Sequence, residues 1–224
     1  MLVTKSMTKK VLTVKKDAGL FEIRNLMKEN NIRHLPVVDG ENRLIGIVTD
    51  RDLRSAMPYR ICREPTTASE ESERISKKKV ADIMTPDPIS IPARYTIQDA
   101  LLLIDAHRVG AFPVTEEDGT LVGIVSVRDL IRAFINVLGI GQPGTLLGIV
   151  VEDKVGQLKR IVDAITEENI SLGSILVARY WDEHKRAVFP YLLTNNVRRI
   201  KKKLEELGFQ LLDPMDWYFD RVKK

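Results

Sequence analysis

Two hydroxyl–carboxylate pairs of equal spacing, Thr49-x-x-Asp52 and Ser126-x-x-Asp129, are the residues of this chain best suited to hold a ligand. Each pair directly follows an apolar run of the same residues, Gly46-Ile47-Val48 and Gly123-Ile124-Val125. A hydroxyl where a strand ends and a helix begins sits among unpaired backbone N–H groups and the positive end of the helix dipole, which together favour a phosphate. A carboxylate one turn later can accept hydrogen bonds from both hydroxyls of a ribose, each contributing about 1.5 to 3 kcal/mol. Gly46 and Gly123 would let the backbone come close to such a ligand. A nucleotide is the simplest molecule that carries both groups. The same spacing is also a capping box, which needs no ligand. Two copies in one register, each preceded by Gly-Ile-Val, shift the balance toward binding.

The elements that must position these residues are themselves duplicated. Residues 3–57 and 80–134 align without a gap at a constant offset of 77, and Leu35-Pro36-Val37 recurs as Phe112-Pro113-Val114. Each copy reads as strand, helix, strand, strand, helix. In the first copy these are a β-rich run at 11–14, a helical face of Leu20, Ile23, Leu26 and Met27, and strands at 32–38 and 43–48. The turn Asp39-Gly40-Glu41-Asn42 joins the two strands, and helices at 50–57 and 127–138 carry the two motifs. A unit of about 55 residues exposes one side of a small sheet, so the copies should pack on each other. Residues 58–79, polar and charged, read as a linker between them, with a solvated surface.

A glycine and proline cluster at 139–144 marks a hinge. Beyond it, residues 145–213 read as strands at 146–151, 174–180, 187–193 and 209–212. Helical faces of Leu158, Ile161, Val162 and Ile165, and of Val197, Ile200, Leu204 and Leu207, lie between them. That βαββαβ order suits a ferredoxin-like α+β sandwich. In the tail at 214–224, Trp217-Tyr218-Phe219 read as packing on a domain surface.

Composition excludes several classes of function. The chain has 224 residues, 44% hydrophobic and 29% charged, and 35 basic residues nearly balance 31 acidic ones. The net charge of +4 does not call for nucleic acid. Cys62 is the one cysteine, which rules out an intrachain disulfide or a cysteine-rich metal site and fits a reducing cytoplasm. The N-terminus lacks the apolar region of a signal peptide, and no apolar run reaches the roughly 18 residues of a membrane span. A soluble, cytoplasmic protein is expected. His34, His107 and His184 are scattered, outside any metal-binding spacing, and no acid, base and nucleophile converge, so no enzyme is expected. Arg198-Arg199-Ile200-Lys201-Lys202-Lys203 could meet nucleic acid, but Ile200 and Leu204 supply a core stripe and Glu205 and Glu206 follow, so it reads as a solvated face.

At its repeated motifs, residues 3–138 resemble a tandem pair of CBS domains, the Bateman module. The resemblance implies an antiparallel pair with pseudo-twofold symmetry and two clefts for adenosine ligands: AMP, ADP, ATP or S-adenosylmethionine. Ribose and phosphate would lie on the motif of one copy and adenine against the Pro-Val strand of the other. Carried over, Thr49 and Asp52 face Val109, Gly110, Ala111, Phe112 and Pro113, whereas Ser126 and Asp129 face Ile32, Arg33, His34, Leu35 and Pro36. The clefts should be unequal. Arg33, beside Asp52 in its own copy, offers phosphate a bidentate donor that its counterpart Gly110 lacks. Gly110-Ala111 leaves room for a base, and Lys9-Lys10 against Pro86-Asp87 repeats the bias, so the Asp52 cleft is expected to be the better equipped.

Asp153-Lys154-Val155-Gly156-Gln157-Leu158 resembles the signature loop of an ACT domain, with Asp153 and Gly156 as its candidate ligand residues. Val155 stands where that family often has proline, and a tight turn needing Gly156 is the plainer reading. Sheets of ACT domains commonly pair between chains, which implies a homodimer. CBS repeats followed by this domain resemble the bacterial acetoin-utilisation protein family, whose members are regarded as regulatory. The reading is a homodimeric sensor with no required cofactor, binding an adenine nucleotide or S-adenosylmethionine and acting on an unknown partner protein. The alternatives are an interaction module whose motifs only cap helices, and a nucleic-acid regulator working through the basic helix.

Overall fold

The structure, a computed structural model, describes residues 1–57, 70–178 and 183–212, and its chain divides into one unit spanning Met1–Ile131 and a second from Arg132 onward. Cys62, most of the expected linker and the aromatic tail lie outside the described residues.

In the first unit, α1 (Leu20–Glu29) buries Leu20, Ile23 and Met27 on one face. It leads to β1 (His34–Val38) and β2 (Leu44–Thr49), an antiparallel pair in which His34 faces Thr49 and Leu35 faces Val48. The turn between them is held by the Asp39 carboxylate, which accepts the N–H groups of Glu41 at 2.9 Å and Arg43 at 2.8 Å, with Asn42 in the left-handed region. Helix α2 (Asp50–Ala56) follows β2 directly. The second copy repeats this with α4 (Ile97–His107), β5 (Ala111–Thr115), β6 (Leu121–Ser126) and α5 (Val127–Leu138), whose end passes into the second unit.

Two readings of the sequence change. The run at 11–14 is no strand: Val14 makes a single parallel bridge to Val37, and the matching segment of the second copy is only β4 (Ile91–Pro92), parallel to β5. The expected linker ends in a helix, α3 (Glu70–Lys77), because Ile75 is apolar enough to join the core of Leu20, Ile23, Leu35 and Val37.

The opening segment of each copy is exchanged onto the other copy. Thr8 and Ile124 trade backbone hydrogen bonds at 2.9 and 3.0 Å, and β3 (Thr85–Pro86) pairs with β2 through Thr85 and Ile47. Val3, fully buried, donates its N–H to Tyr95, while Val80 donates to Ala18 and packs with Ile83 and Met84 in the Leu20 and Ile23 core. The exchange accounts for the repeated glycines. A Cβ on Gly46 would strike Met84, and one on Gly123 would strike Met7, so these glycines admit a methionine of the other copy's opening segment, not a ligand. The two hairpin turns also meet, Leu44 donating to Gly119 and Leu121 to Asn42.

The second unit is a βαββαβ sandwich. A short β7 (Thr145–Leu146) precedes β8 (Gly148–Glu152), α6 (Gln157–Glu167), β9 (Leu172–Ala178), β10 (Lys185–Leu192), α7 (Arg198–Glu206) and β11 (Gln210–Leu212). Strand β8 lies between β11 and β10, and β9 pairs along the other side of β10. Alternate residues Ile149 and Val151 of β8, with Val188 and Leu192 of β10, meet Ile161, Ile165, Ile200 and Leu204 of the helices.

Candidate functional site

Both motifs form the same closed hydrogen-bond set. Asp52 Oδ2 accepts from the Thr49 N–H at 2.8 Å and from its hydroxyl at 2.7 Å, and Thr49 Oγ1 accepts the Asp52 N–H at 3.3 Å. Ser126 and Asp129 reproduce this at 2.9, 2.6 and 3.3 Å. The cap engages Oδ2, so Oδ1 is the carboxylate oxygen left to receive a ligand hydroxyl. A third pair, Thr96-x-x-Asp99, has the same geometry at the start of α4, at 2.8, 2.7 and 3.2 Å. Capping geometry therefore marks helix starts, and something more must mark a site.

That further mark is a cavity of about 640 Å³ at Ser126 and Asp129. It is lined by Thr8, Lys10, Val11 and Leu12 of the exchanged opening segment, and by Asn30, Asn31, Ile32, Arg33 and His34 at the entry to β1. Gly110, Ala111 and Ile124 line it together with Ser126, Val127, Arg128 and Asp129. Ile32, Arg33 and His34 thus meet Ser126 and Asp129, while Leu35 and Pro36 run on into the buried part of β1. Thr49 and Asp52 are not among the lining residues; Phe112 and Pro113 are buried in β5, and Val109 is half-buried.

Lys10 and Arg33, two basic cues attached to the Asp52 cleft in the sequence, line the cavity of Asp129. Lys10 reaches it because its segment is zipped onto β6 through Thr8 and Ile124. Arg33 reaches it because the entries to β1 and β5 abut: a Cβ on Gly110 would come within 2.9 Å of His34 Nε2. The Arg33 carbonyl accepts the Asp50 N–H and the Gly110 carbonyl accepts that of Val127, so one backbone contact serves both copies. Burial pushes the His34 imidazole below its ordinary pKa, and Arg33 acts in the same direction against the pull of Asp50 and Asp52. The sequence did not mark Thr8, Val11, Leu12, Asn30, Asn31, Ile124, Val127 or Arg128 as lining residues. Arg128 could have been found, since it lies inside the Ser126-x-x-Asp129 motif.

In the second unit the Asp153 carboxylate pairs with Arg186, and its N–H donates to the His184 carbonyl at 2.8 Å. Gly156 opens α6 at φ 93°, a left-handed conformation that accounts for glycine there. On the basic helix, Lys203 holds Glu167 at 2.8 Å and Glu168 at 3.4 Å, and Lys202 lies 3.5 Å from Glu206. An open polar hollow of about 430 Å³, lined by Asn169, Ser171, Thr194, Asn196 and Arg199 among others, lies at the start of this helix. Among the described residues, no group of three or more His, Cys, Asp or Glu could hold a metal ion, and no helix is long and apolar enough to cross a membrane.

Comparison with known proteins agrees with this architecture. The CBS domain family model matches residues 3–59 and again 80–136, which together make up just over half of the chain. A CBS domain-containing protein of Dictyostelium discoideum is 34% identical over 137 residues, 61% of this chain and 93% of that protein. An inosine-5'-monophosphate dehydrogenase of Methanocaldococcus jannaschii is 34% identical over 124 residues, but the match spans only 22% of that enzyme. Among solved structures, an acetoin utilization protein (AcuB) from Vibrio cholerae superposes with a TM-score of 0.52 at 27% identity, covering 63% of this chain and 95% of that one. CBSX2 in complex with AMP gives 0.51 at 26% identity, covering 60% and 96%. With two matched copies that exchange their opening segments around a shared cavity, the chain belongs to the CBS-domain family.

Proposed function

We propose that this protein is a regulatory sensor that binds an adenosine ligand, either an adenine nucleotide or S-adenosylmethionine, in the cavity of Ser126 and Asp129. One observation carries the reading: the cavity joins the hydroxyl–carboxylate motif of one copy to the strand entry Ile32, Arg33 and His34 of the other. Asp129 Oδ1 would take the ribose, and the start of α5 with Ser126 would take a phosphate. The likeness to CBSX2, solved in complex with AMP, supports the same ligand class. A ligand touching both copies favours whichever arrangement of them fits it better, and only different affinities for two arrangements make occupancy a signal.

The second unit has the element order of an ACT-like domain, and it serves self-association or output in this reading. Its β9 pairs with β10 along one side and, among the described residues, has no strand on its other side, an edge that would serve a second copy. Membership of the acetoin-utilisation family, a cytoplasmic location and an unknown regulated protein complete the proposal.

A competing reading is favoured by Thr96 and Asp99, which hold the capping geometry outside the cavity: in it all three motifs are caps alone, in an interaction module without a ligand. Calorimetry and thermal shift with AMP, ADP, ATP, adenosine and S-adenosylmethionine separate the two. At a ligand concentration about 100 times Kd, binding stabilises the fold by about 2.7 kcal/mol, and Asp129→Ala should remove that gain. No binding by any of the five compounds, or an unchanged gain in Asp129→Ala, would sink the assignment.

A further inference from the structure

Resting on the reading of this cavity as an adenosine site, we infer that its charge selects phosphorylated adenosine ligands over adenosine and over the cationic sulfonium of S-adenosylmethionine. Three cations, Lys10, Arg33 and Arg128, line the cavity against one carboxylate, Asp129. They come from three separate segments, the exchanged opening segment, the entry to β1 and the first turn of α5. Some basic side chains elsewhere hold a carboxylate, among them Arg43, Arg54, Arg94, Lys154, Lys159, Lys202 and Lys203. None of the three cavity cations is ion-paired with a described residue, although all three are exposed enough to find one.

The single carboxylate is already partly spent, because Asp129 Oδ2 receives the Ser126 N–H and hydroxyl. The N–H groups at the start of α5, a helix of 12 residues, add to the positive side of the balance. A phosphate placed there gains charge-assisted hydrogen bonds that adenosine cannot make. A sulfonium with an ammonium group brings two positive charges into a cavity that already has an excess of them, and its one carboxylate does not offset both.

Calorimetry on the full chain with adenosine, AMP, ADP and S-adenosylmethionine tests this. AMP should bind about ten-fold tighter than adenosine or better, and S-adenosylmethionine should bind more weakly than either. Raising the salt to about 0.5 M should narrow the gap between AMP and adenosine, since exposed charges are screened. Arg128→Gln, Arg33→Gln and Lys10→Gln should each lower the ratio of AMP to adenosine affinity, and Asp52→Ala should leave it in place. Equal affinity for AMP and adenosine, or S-adenosylmethionine tighter than AMP, overturns the inference while leaving an adenosine site standing. Selection lost in Asp52→Ala but kept in Asp129→Ala also overturns it, by moving it to the other cleft. If none of the four compounds binds, the adenosine reading itself fails.

Discussion

At the scale of residues, three pairs with one geometry offer an internal control. Ser126→Ala and Thr96→Ala each remove a cap, and each should cost about 1 kcal/mol of stability in denaturant titration. Only Ser126→Ala should also weaken the nucleotide, because Thr96 lies outside the cavity. Equal losses of affinity in the two variants would mean that the caps act on binding only through the fold. His34 gives a second prediction. Its folded pKa lies below the ordinary 6.5, so below that pH the unfolded chain binds more protons than the folded one. Its contribution to stability is therefore complete above 6.5 and is lost as pH falls through the window beneath it. His34→Gln should flatten the acid limb of the stability curve below the ordinary imidazole pKa of 6.5. An acid limb identical to that of the parent would contradict the assignment to His34, which Asp50, Asp52 and Arg33 all influence. The hydroxyl and carboxylate positions were legible in the sequence because spacing alone reveals them. Which copy meets the cavity was not, because that depends on where Lys10 and Arg33 end up in space.

At the scale of elements, the glycines of the repeat are the clearest case of a right residue with a different reason. Gly46 and Gly123 recur because Met84 and Met7 lie over them. Gly123→Val should destabilise the chain by about 1 to 3 kcal/mol through overpacking. Met7→Ala in the same chain should relieve part of that penalty, and a double-mutant cycle showing simple additivity would remove the proposed contact. Ile75→Ala should cost about 2 to 5 kcal/mol, since α3 anchors through that side chain in the core of the first copy. An effect near zero in chemical denaturation would return residues 70–77 to the role of a plain linker. Long periodic helices and the β1 and β2 hairpin were readable because burial on one face imposes a period. The helix at 70–77 was not, since a single buried isoleucine among charged residues leaves no period to read. The run at 11–14 looked like a strand from its β-branched residues, yet only Val14 finds a neighbour, Val37.

At the scale of the whole molecule, the division of labour can be tested by removing residues 145–224. The residues of the cavity lie in the first unit, so the proposed AMP binding should persist, while the proposed self-association through the β9 edge should weaken. Light scattering on the truncated chain decides this, and a fragment that stays fully dimeric at low concentration would move the contact elsewhere. The βαββαβ order of the second unit was legible because each element carries its own apolar period. The exchange of opening segments was invisible, since a gap-free alignment shows what recurs and not which copy it packs against. That exchange has a consequence for origin. Half of this module could not satisfy itself: its opening segment would find its pairing partner only on a second half. A one-copy ancestor would already have been a clasped pair of identical chains, and gene fusion would only have tied the clasp together. Once tied, the two halves would be free to differ, as they do where arginine stands at 33 and its twin position, 110, has glycine. Severed between the copies, the two pieces should still find each other when mixed, each lending the other its beginning.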